Sequence, residues 1–379
     1  MRKVLLGMSG GVDSSVSAIL LKNAGYEVYG ATMQLYEGGC CNLNSDLDAK
    51  NVCKNIGIEH CIIDYRNEFK ENVINNFIEE YSKCKTPNPC IECNRYLKFG
   101  AMYNKAKSLG IDYISTGHYA KTEYSDKYAR YVLKKSNNIA KDQSYVLYSI
   151  PKELLSKIIF PLGEFESKEE IRNIAKEYNL KVANKPDSED ICFIPNGNYK
   201  SFLEQNSNLT PNIGDIVNTK GKILGKHKGL YNYTIGQRKG LGISYKVPLF
   251  VIGFNKERNE VIVGEESELY QKEVFVKDVN LLLVDDIDKP IKVNVKTRYS
   301  SKEAKAVIEK VDISNLKNKI IEKNNLYNEY EIMNLNENSL NEDYIVKITF
   351  DEPQARITPG QSAVFYIDDI VLGGGKIMQ

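Results

Sequence analysis

Three short stretches of this 379-residue chain carry residue types that could do chemistry. The first is "GMSGGVDSS", Gly7 to Ser15, directly after the apolar run "VLL". Ser9, Gly10 and Gly11 let the backbone bend so that successive N–H groups point at one anion. A helix that follows would add its N-terminal partial positive charge. The stretch contains no lysine, and no segment of the chain supplies the GxxxxGK[ST] phosphate loop. Asp13 would repel a phosphate, so Mg²⁺, free or bound to pyrophosphate, is expected between them. The second stretch is "TPNPCIECN", in which Cys90-x-x-Cys93 follows a loop braced by Pro87 and Pro89. The third is "DSEDICFI", where Cys192 is expected in a short apolar strand after an acidic turn. A C-x-x-C serves as half a metal site, a redox pair or ordinary packing. Two stiff cysteine loops behind an anion-binding loop favour sulfur chemistry.

The surrounding segments indicate what holds these stretches in place. "VLLGMS" at 4–9 reads as a buried parallel strand, and "SSVSAILLKNAG" as a helix with a glycine stop at Gly25. "EVYGATMQLY", "EHCIIDY" and "IDYISTGHY" read as further strands. Helices are expected at about 46–56, through "EFKENVINNFIEEYSKC" and over 91–109. "SKEE" at Ser167 to Glu170 is a capping box before "IRNIAKEYNL". Strands alternating with helices imply an α/β, doubly wound parallel sheet that binds ligands at the C-terminal strand ends. Beyond about residue 200 the texture becomes rich in Gly, Lys and β-formers, and from about 273 Val/Ile/Tyr alternation recurs as in a small barrel. The expected division is 1–200, a small β-rich domain at 201–270, and a C-terminal β-barrel at 271–379. Residues 311–344 contain nine asparagines and read as a surface excursion.

Composition narrows the function. Hydrophobic residues make up 42% and charged residues 27%, the range of a soluble globular protein. There is no apolar run of about 18 residues, and Arg2-Lys3 before "VLLGM" lacks a cleavage-site pattern, so a cytoplasmic protein with no membrane partner is expected. A net charge of +1 makes no global case for nucleic acid. Between Asp215 and Glu257, however, lie eight Lys/Arg residues and His227 without one acid, either a polyanion surface or a lysine-decorated sheet. Seven of the eight cysteines fall in the first hundred residues, which points to metal or sulfur chemistry rather than a secreted disulfide scaffold. Of these, Cys53, Cys61 and Cys84 read as packing residues. The pair Cys40-Cys41 follows the second strand and has no assigned role.

Strand-SGG-x-DS-helix resembles the loop of the N-type ATP pyrophosphatases, which cleave ATP between the α and β phosphates and adenylate a carbonyl oxygen. "GMSGGVDSS", "TPNPCIECNRYLKFG", "STGHYA", "KDQSYVLY", "KPDSEDICFI", "HKGLYNYTIGQRKGLGI", "RYS" and "PGQSAVFY…VLGGG" occur in that order. Together they resemble the tRNA-specific 2-thiouridylase family over essentially the full length. The resemblance implies an N-terminal pyrophosphatase domain, a small central domain and a C-terminal barrel. It implies ATP and the wobble uridine of tRNAs for Lys, Glu and Gln as substrates, with a cysteine desulfurase or sulfur-relay protein as persulfide donor.

Roles carry over residue by residue. Gly7, Met8, Ser9, Gly10, Gly11, Val12, Asp13 and Ser14 would hold ATP, with Met33 and Gly117 on the adenine and ribose side. Cys93 matches the nucleophile and Cys192 the persulfide carrier, while Asn88, Pro89 and Cys90 occupy the segment that meets the target base. His118, Lys141, Asp142, Gln143, Arg298, Tyr299 and Gln361 match tRNA-contacting positions. Many relatives have Asp where this chain has Cys90, so no carboxylate acid–base role is expected there. Cys90, Cys93 and Cys192 instead offer the ligand set of a [4Fe-4S] cluster with one open iron, the alternative mechanism. An ATP-dependent ligase or amide-forming enzyme that ignores RNA is the alternative of another class, and a pure RNA-binding module leaves Asp13 unexplained.

Overall fold

A computed structural model describes residues 2–36, 43–186, 191–194, 197–311 and 345–378. The Cys40-Cys41 pair, the acidic turn at 187–190 and nearly all of the asparagine-rich excursion (312–344) lie outside them. The chain forms two compact units: 1–76 with 89–198 and 369–371, and 77–88 with 199–368 and 372–379.

In the first unit β1 (Lys3–Gly7), β2 (Glu27–Gln34), β3 (Glu59–Asp64), β4 (Tyr113–Ser115) and β7 (Ile158–Ile159) build a parallel sheet in the order β3-β2-β1-β4-β7. Val4, Leu5 and Leu6 of β1 are fully buried, as a strand covered on both faces requires. The order reverses between β1 and β4, which makes the crevice at their C-terminal ends the expected ligand site. Helices α1 (Val12–Asn23) and α2 (Leu43–Ile56) and the helix Lys168–Glu177 share one core, through Val16, Ile19, Ala49, Val52, Ile171 and Ala175. A serine-rich α1 can be buried because its hydroxyls turn back on the helix: Ser15 Oγ donates to the Gly11 carbonyl at 2.7 Å and Ser17 Oγ to that of Asp13 at 2.9 Å. The expected capping box forms, with Ser167 N–H donating to Glu170 Oε1 at 2.8 Å and Glu170 N–H to Ser167 Oγ at 3.3 Å.

Two expectations are corrected in this unit. Residues 89–108 are helical as expected, but the turns from Cys93 to Ala101 are wide π-type turns, a deviation common at functional sites. Cys192 sits in a turn rather than a strand, with Ile194 N–H donating to the Ile191 carbonyl at 2.9 Å. Its neighbours Phe193 and Ile194 are buried, and an apolar run that short fits a packed turn as well as a strand. The hairpin β5 (Ala120–Ser125) and β6 (Arg130–Lys135) completes the unit.

The second unit opens with a four-stranded sheet, β10-β11-β8-β9, of β8 (Ile213–Asn218), β9 (Ile223–Lys228), β10 (Phe250–Asn255) and β11 (Glu260–Gly264). Six strands then close on themselves: β12 (Tyr270–Leu281), β13 (Ile291–Lys296), β14 (Ala304–Val311), β15 (Ile345–Ala355), β16 (Ser362–Ile367) and β17 (Ile370–Ile377). β12 pairs with both β15 and β17, Val276 lying opposite Val346 on one side and Ile377 on the other, so the expected barrel has no open edge.

Candidate active site

The phosphate loop runs from Gly7, at the end of β1, through the exposed Ser9 to Gly11, which begins α1. Gly10 has φ +69°, a conformation that a residue with a side chain seldom adopts. Gly11, the N-cap residue, makes no side-chain cap to the first amides of α1. Ser9 N–H donates to Ser14 Oγ at 3.2 Å and Ser14 Oγ donates to the Gly11 carbonyl at 3.2 Å, which ties the loop closed. Met33, on β2, is half-buried and pairs in register with Ile63. Gly117, just beyond β4, presses on the start of α1: a Cβ there would lie 2.9 Å from Ser14 N.

Asp13 is not left facing the anion site alone. Lys168 Nζ donates to both of its carboxylate oxygens at 2.7 Å, and Tyr119 OH donates to Oδ1 at 2.7 Å. Three of roughly four carboxylate acceptor positions are then used, and the Lys168 ammonium holds the charge-balancing place expected of Mg²⁺ beside Asp13. Lys185 Nζ donates to the Gly10 carbonyl at 3.0 Å and pairs with Asp48 at 2.9 Å. Neither lysine was legible as part of the loop, because both come from the far end of the unit.

Cys90 is exposed on the first turn of the helix, whereas Cys93 is buried at the start of the π-type turns. Burial pushes the Cys93 thiol up to about 11; nearby Lys98 opposes the shift and Cys90 adds to it. Cys192 is half-buried, and its turn is pinned by Phe193, which meets Phe69 edge-on at 5.5 Å. Cys93 and Cys192 are not joined by a disulfide. Among the described residues no group of three His, Cys, Asp or Glu side chains could hold a metal ion, so the three thiols do not form an iron–sulfur cradle in this arrangement. Cys53 and Cys84 are buried packing residues as expected, but Cys61 is exposed on the edge strand β3.

Three family models match in order: a tRNA methyl transferase HUP domain over residues 2–196, a tRNA methyl transferase PRC-barrel domain over 200–265, and an aminomethyltransferase β-barrel domain over 336–377. The tRNA-specific 2-thiouridylase MnmA of Acetivibrio thermocellus is 46% identical over 99% of this chain and 99% of its own length. That of Clostridioides difficile is 45% identical over 99% and 98%. The chain belongs to the tRNA-specific 2-thiouridylase family. A solved 4-thiouridine synthetase–RNA complex with bound ATP is similar over 54% of this chain and 50% of that one, at 19% identity and a TM-score of 0.36.

Among the positions that the family resemblance assigns to tRNA, several are occupied with internal bonds. His118 is buried against Phe99 and Phe160, and shares hydrogen bonds with Thr116 Oγ1 at 2.7 Å and Lys98 Nζ at 3.4 Å. Burial, with Lys98 beside it, holds its imidazole well below the usual histidine range. Buried Asp142 accepts from Ser136 N–H, Ser144 N–H and Ser144 Oγ at 3.0, 3.2 and 2.7 Å, fixing the turn that carries half-buried Lys141. Gln143 interlocks with Tyr119 through Tyr119 N–H to Oε1 at 3.0 Å and Gln143 N–H to the Tyr119 carbonyl at 2.8 Å. In the second unit, Gln361 Nε2 donates to the Thr86 carbonyl at 2.6 Å, bracing the loop that leads to half-buried Asn88. Arg298 donates to the Ile235 carbonyl at 3.1 Å and to Thr358 Oγ1. Tyr299 is exposed, with Lys296 Nζ 5.7 Å from its ring centroid.

All eight Lys/Arg residues between Asp215 and Glu257 are exposed, and Lys226 pairs with Asp215 at 2.7 Å. His227 does not belong to that basic face. It is fully buried, with Nδ1 accepting from Gly229 N–H at 3.0 Å and Nε2 bonded to the Asn259 carbonyl at 2.9 Å.

Proposed function

We propose that this chain is an ATP-dependent tRNA 2-thiouridylase acting on the wobble uridine of tRNAs for Lys, Glu and Gln. The observation that carries the reading is one unit holding both an uncapped phosphate loop at the sheet's switch point and two cysteine turns, Cys93 and Cys192. The family membership supports it independently. The C2 oxygen of uridine is a poor leaving group, so sulfur cannot displace it directly. Gly7 to Ser14 hold ATP, with Met33 and Gly117 beside the nucleoside, and the uridine oxygen attacks the α-phosphorus to release pyrophosphate. Asn88, Pro89 and Cys90 meet the base, which is cheap to flip because it is already single-stranded.

Cys192 carries a persulfide delivered by a cysteine desulfurase or sulfur-relay protein. The Cys93 thiolate attacks the inner sulfur; a Cys93–Cys192 disulfide forms and hydrosulfide leaves. Hydrosulfide adds to C2, AMP departs with the oxygen, and an external thiol reduces the disulfide for the next turnover. We place this chemistry in the cytoplasm; among the described residues no helix is long and apolar enough to cross a membrane. The division at 1–200, 201–270 and 271–379 is likewise our proposal, supported by the order of the matched family models. Pyrophosphate release should require added tRNA. Release at full rate without tRNA would instead favour a ligase that ignores RNA.

Because the Cys93 thiol is pushed up to about 11, it is protonated at neutral pH and each pH unit below that value costs about tenfold in thiolate. Single-turnover hydrosulfide release from persulfide-loaded enzyme should therefore climb about tenfold per unit between pH 7 and 9. A flat profile would show that Cys93 does not supply the attacking thiolate.

Tyr299 with Lys296 offers an aromatic face for a base, and the basic stretch offers charge for phosphates. Charge reversal at Lys228 or Arg238 should weaken tRNA binding and lower its salt dependence by about one unit per lost contact. Unchanged tRNA affinity would return the stretch to solvated surface.

A further inference from the structure

The phosphate loop contains no lysine and places an aspartate in the first turn of α1, two features that oppose anion binding. Lys168 answers both. It begins its helix directly after the capping residue Ser167, whose reciprocal bonds with Glu170 fix the backbone from which the side chain extends. The ammonium reaches Asp13 at 2.7 Å on each oxygen and lies 5.6 Å from the ring centroid of Tyr119. That Tyr119 is 3% exposed, donates its own O–H to Asp13, and has its backbone locked by two bonds to Gln143, one to the side chain and one from the backbone N–H. The Lys168 side chain is only 15% exposed, so the pair is weakly screened by water. Aspartate and lysine sum to zero charge, as do Lys185 and Asp48 beside Gly10, and what remains at the mouth of the loop is the backbone amides and the positive helix end.

We propose that Lys168 is the missing cation of the phosphate loop: by neutralising Asp13 it lets the loop bind pyrophosphate or the ATP polyphosphate without a divalent metal between them. Lys168 acts through Asp13 and is a positioning residue, with no step of the chemistry assigned to it. The inference rests on reading Gly7 to Ser14 as the nucleotide loop.

The test is calorimetric titration of inorganic pyrophosphate into full-length protein in the presence of a metal chelator. Wild type should bind, and Lys168→Met should bind at least tenfold more weakly, because Asp13 is then uncompensated. Asp13→Asn, which leaves the lysine charge in place, should bind more tightly than wild type. The double variant Asp13→Asn/Lys168→Met should recover to near the wild-type affinity, and this outcome separates neutralisation from direct phosphate contact. Binding by Lys168→Met equal to wild type would overturn the inference, as would a double variant no tighter than Lys168→Met. If Lys168→Met does not fold, an Asp13→Asn affinity no higher than wild type overturns it alone. Pyrophosphate that binds wild type only when Mg²⁺ replaces the chelator takes down the inference alone, as does binding indifferent to Lys168; pyrophosphate that binds wild type in neither condition takes down the nucleotide-loop reading as well.

Discussion

Cys192→Ser and Cys93→Ser should each lower 2-thiouridine formation by about 10³-fold or more, the scale seen when a nucleophile is removed. Adenylation should continue in both, because it uses the phosphate loop and the uridine oxygen and needs neither thiol. Serine fits the buried Cys93 site without a cavity, and the Cys192 turn is held by Phe193 rather than by its sulfur, so folding should survive. Both products are measurable in one assay, AMP-linked tRNA by radiolabel and 2-thiouridine by mass spectrometry of digested tRNA. Cys90→Ser separates the two mechanisms. Cys90 is exposed and neighbours the base in the persulfide route, so its loss should leave measurable activity in aerobic enzyme. Loss of all activity together with the iron and sulfide that anaerobic wild type binds stoichiometrically would favour the cluster route instead.

Gly117→Ala should be the most damaging single methyl in the nucleotide site. The added Cβ would meet Ser14 N at 2.9 Å, the Asp13 carbonyl carbon at 3.0 Å and Asp13 Cβ at 3.1 Å. Two of those three atoms are backbone, so the first turn of α1 must move rather than a flexible side chain. A displacement of that kind costs on the order of 10²-fold when it misplaces reacting groups. The specificity constant for ATP should fall by that factor in tRNA-dependent pyrophosphate release. Equal kinetics would mean that nucleotide does not lie over this turn.

What could be read from the sequence was local. The glycines of the phosphate loop, the Ser167–Glu170 box and the alternation that becomes the barrel are short-range patterns, and each forms as expected. What could not be read is made by contacts far apart in sequence. Lys168 meets Asp13 across 155 residues, Tyr119 meets it across 106, and Gln361 reaches Thr86 across 275. No periodicity encodes such a pairing. The apolar run "ICFI" predicts a strand at Cys192 but is too short to decide, and burial of Phe193 and Ile194 satisfies a turn equally. Composition groups His227 with the basic residues because it records charge type but not burial. The π-type turns after Cys93 likewise have no signature in a helical spacing pattern.

In the proposed reaction the uridine oxygen, not water, attacks ATP. The most direct measurement is single-turnover thiolation of purified tRNA in ¹⁸O-water, with persulfide-loaded enzyme and ATP, followed by mass analysis of the AMP. The predicted AMP carries no solvent oxygen, because the oxygen it gains comes from C2, and one 2-thiouridine forms per AMP. AMP that carries ¹⁸O while the tRNA gains no sulfur would show hydrolysis by water and contradict the account.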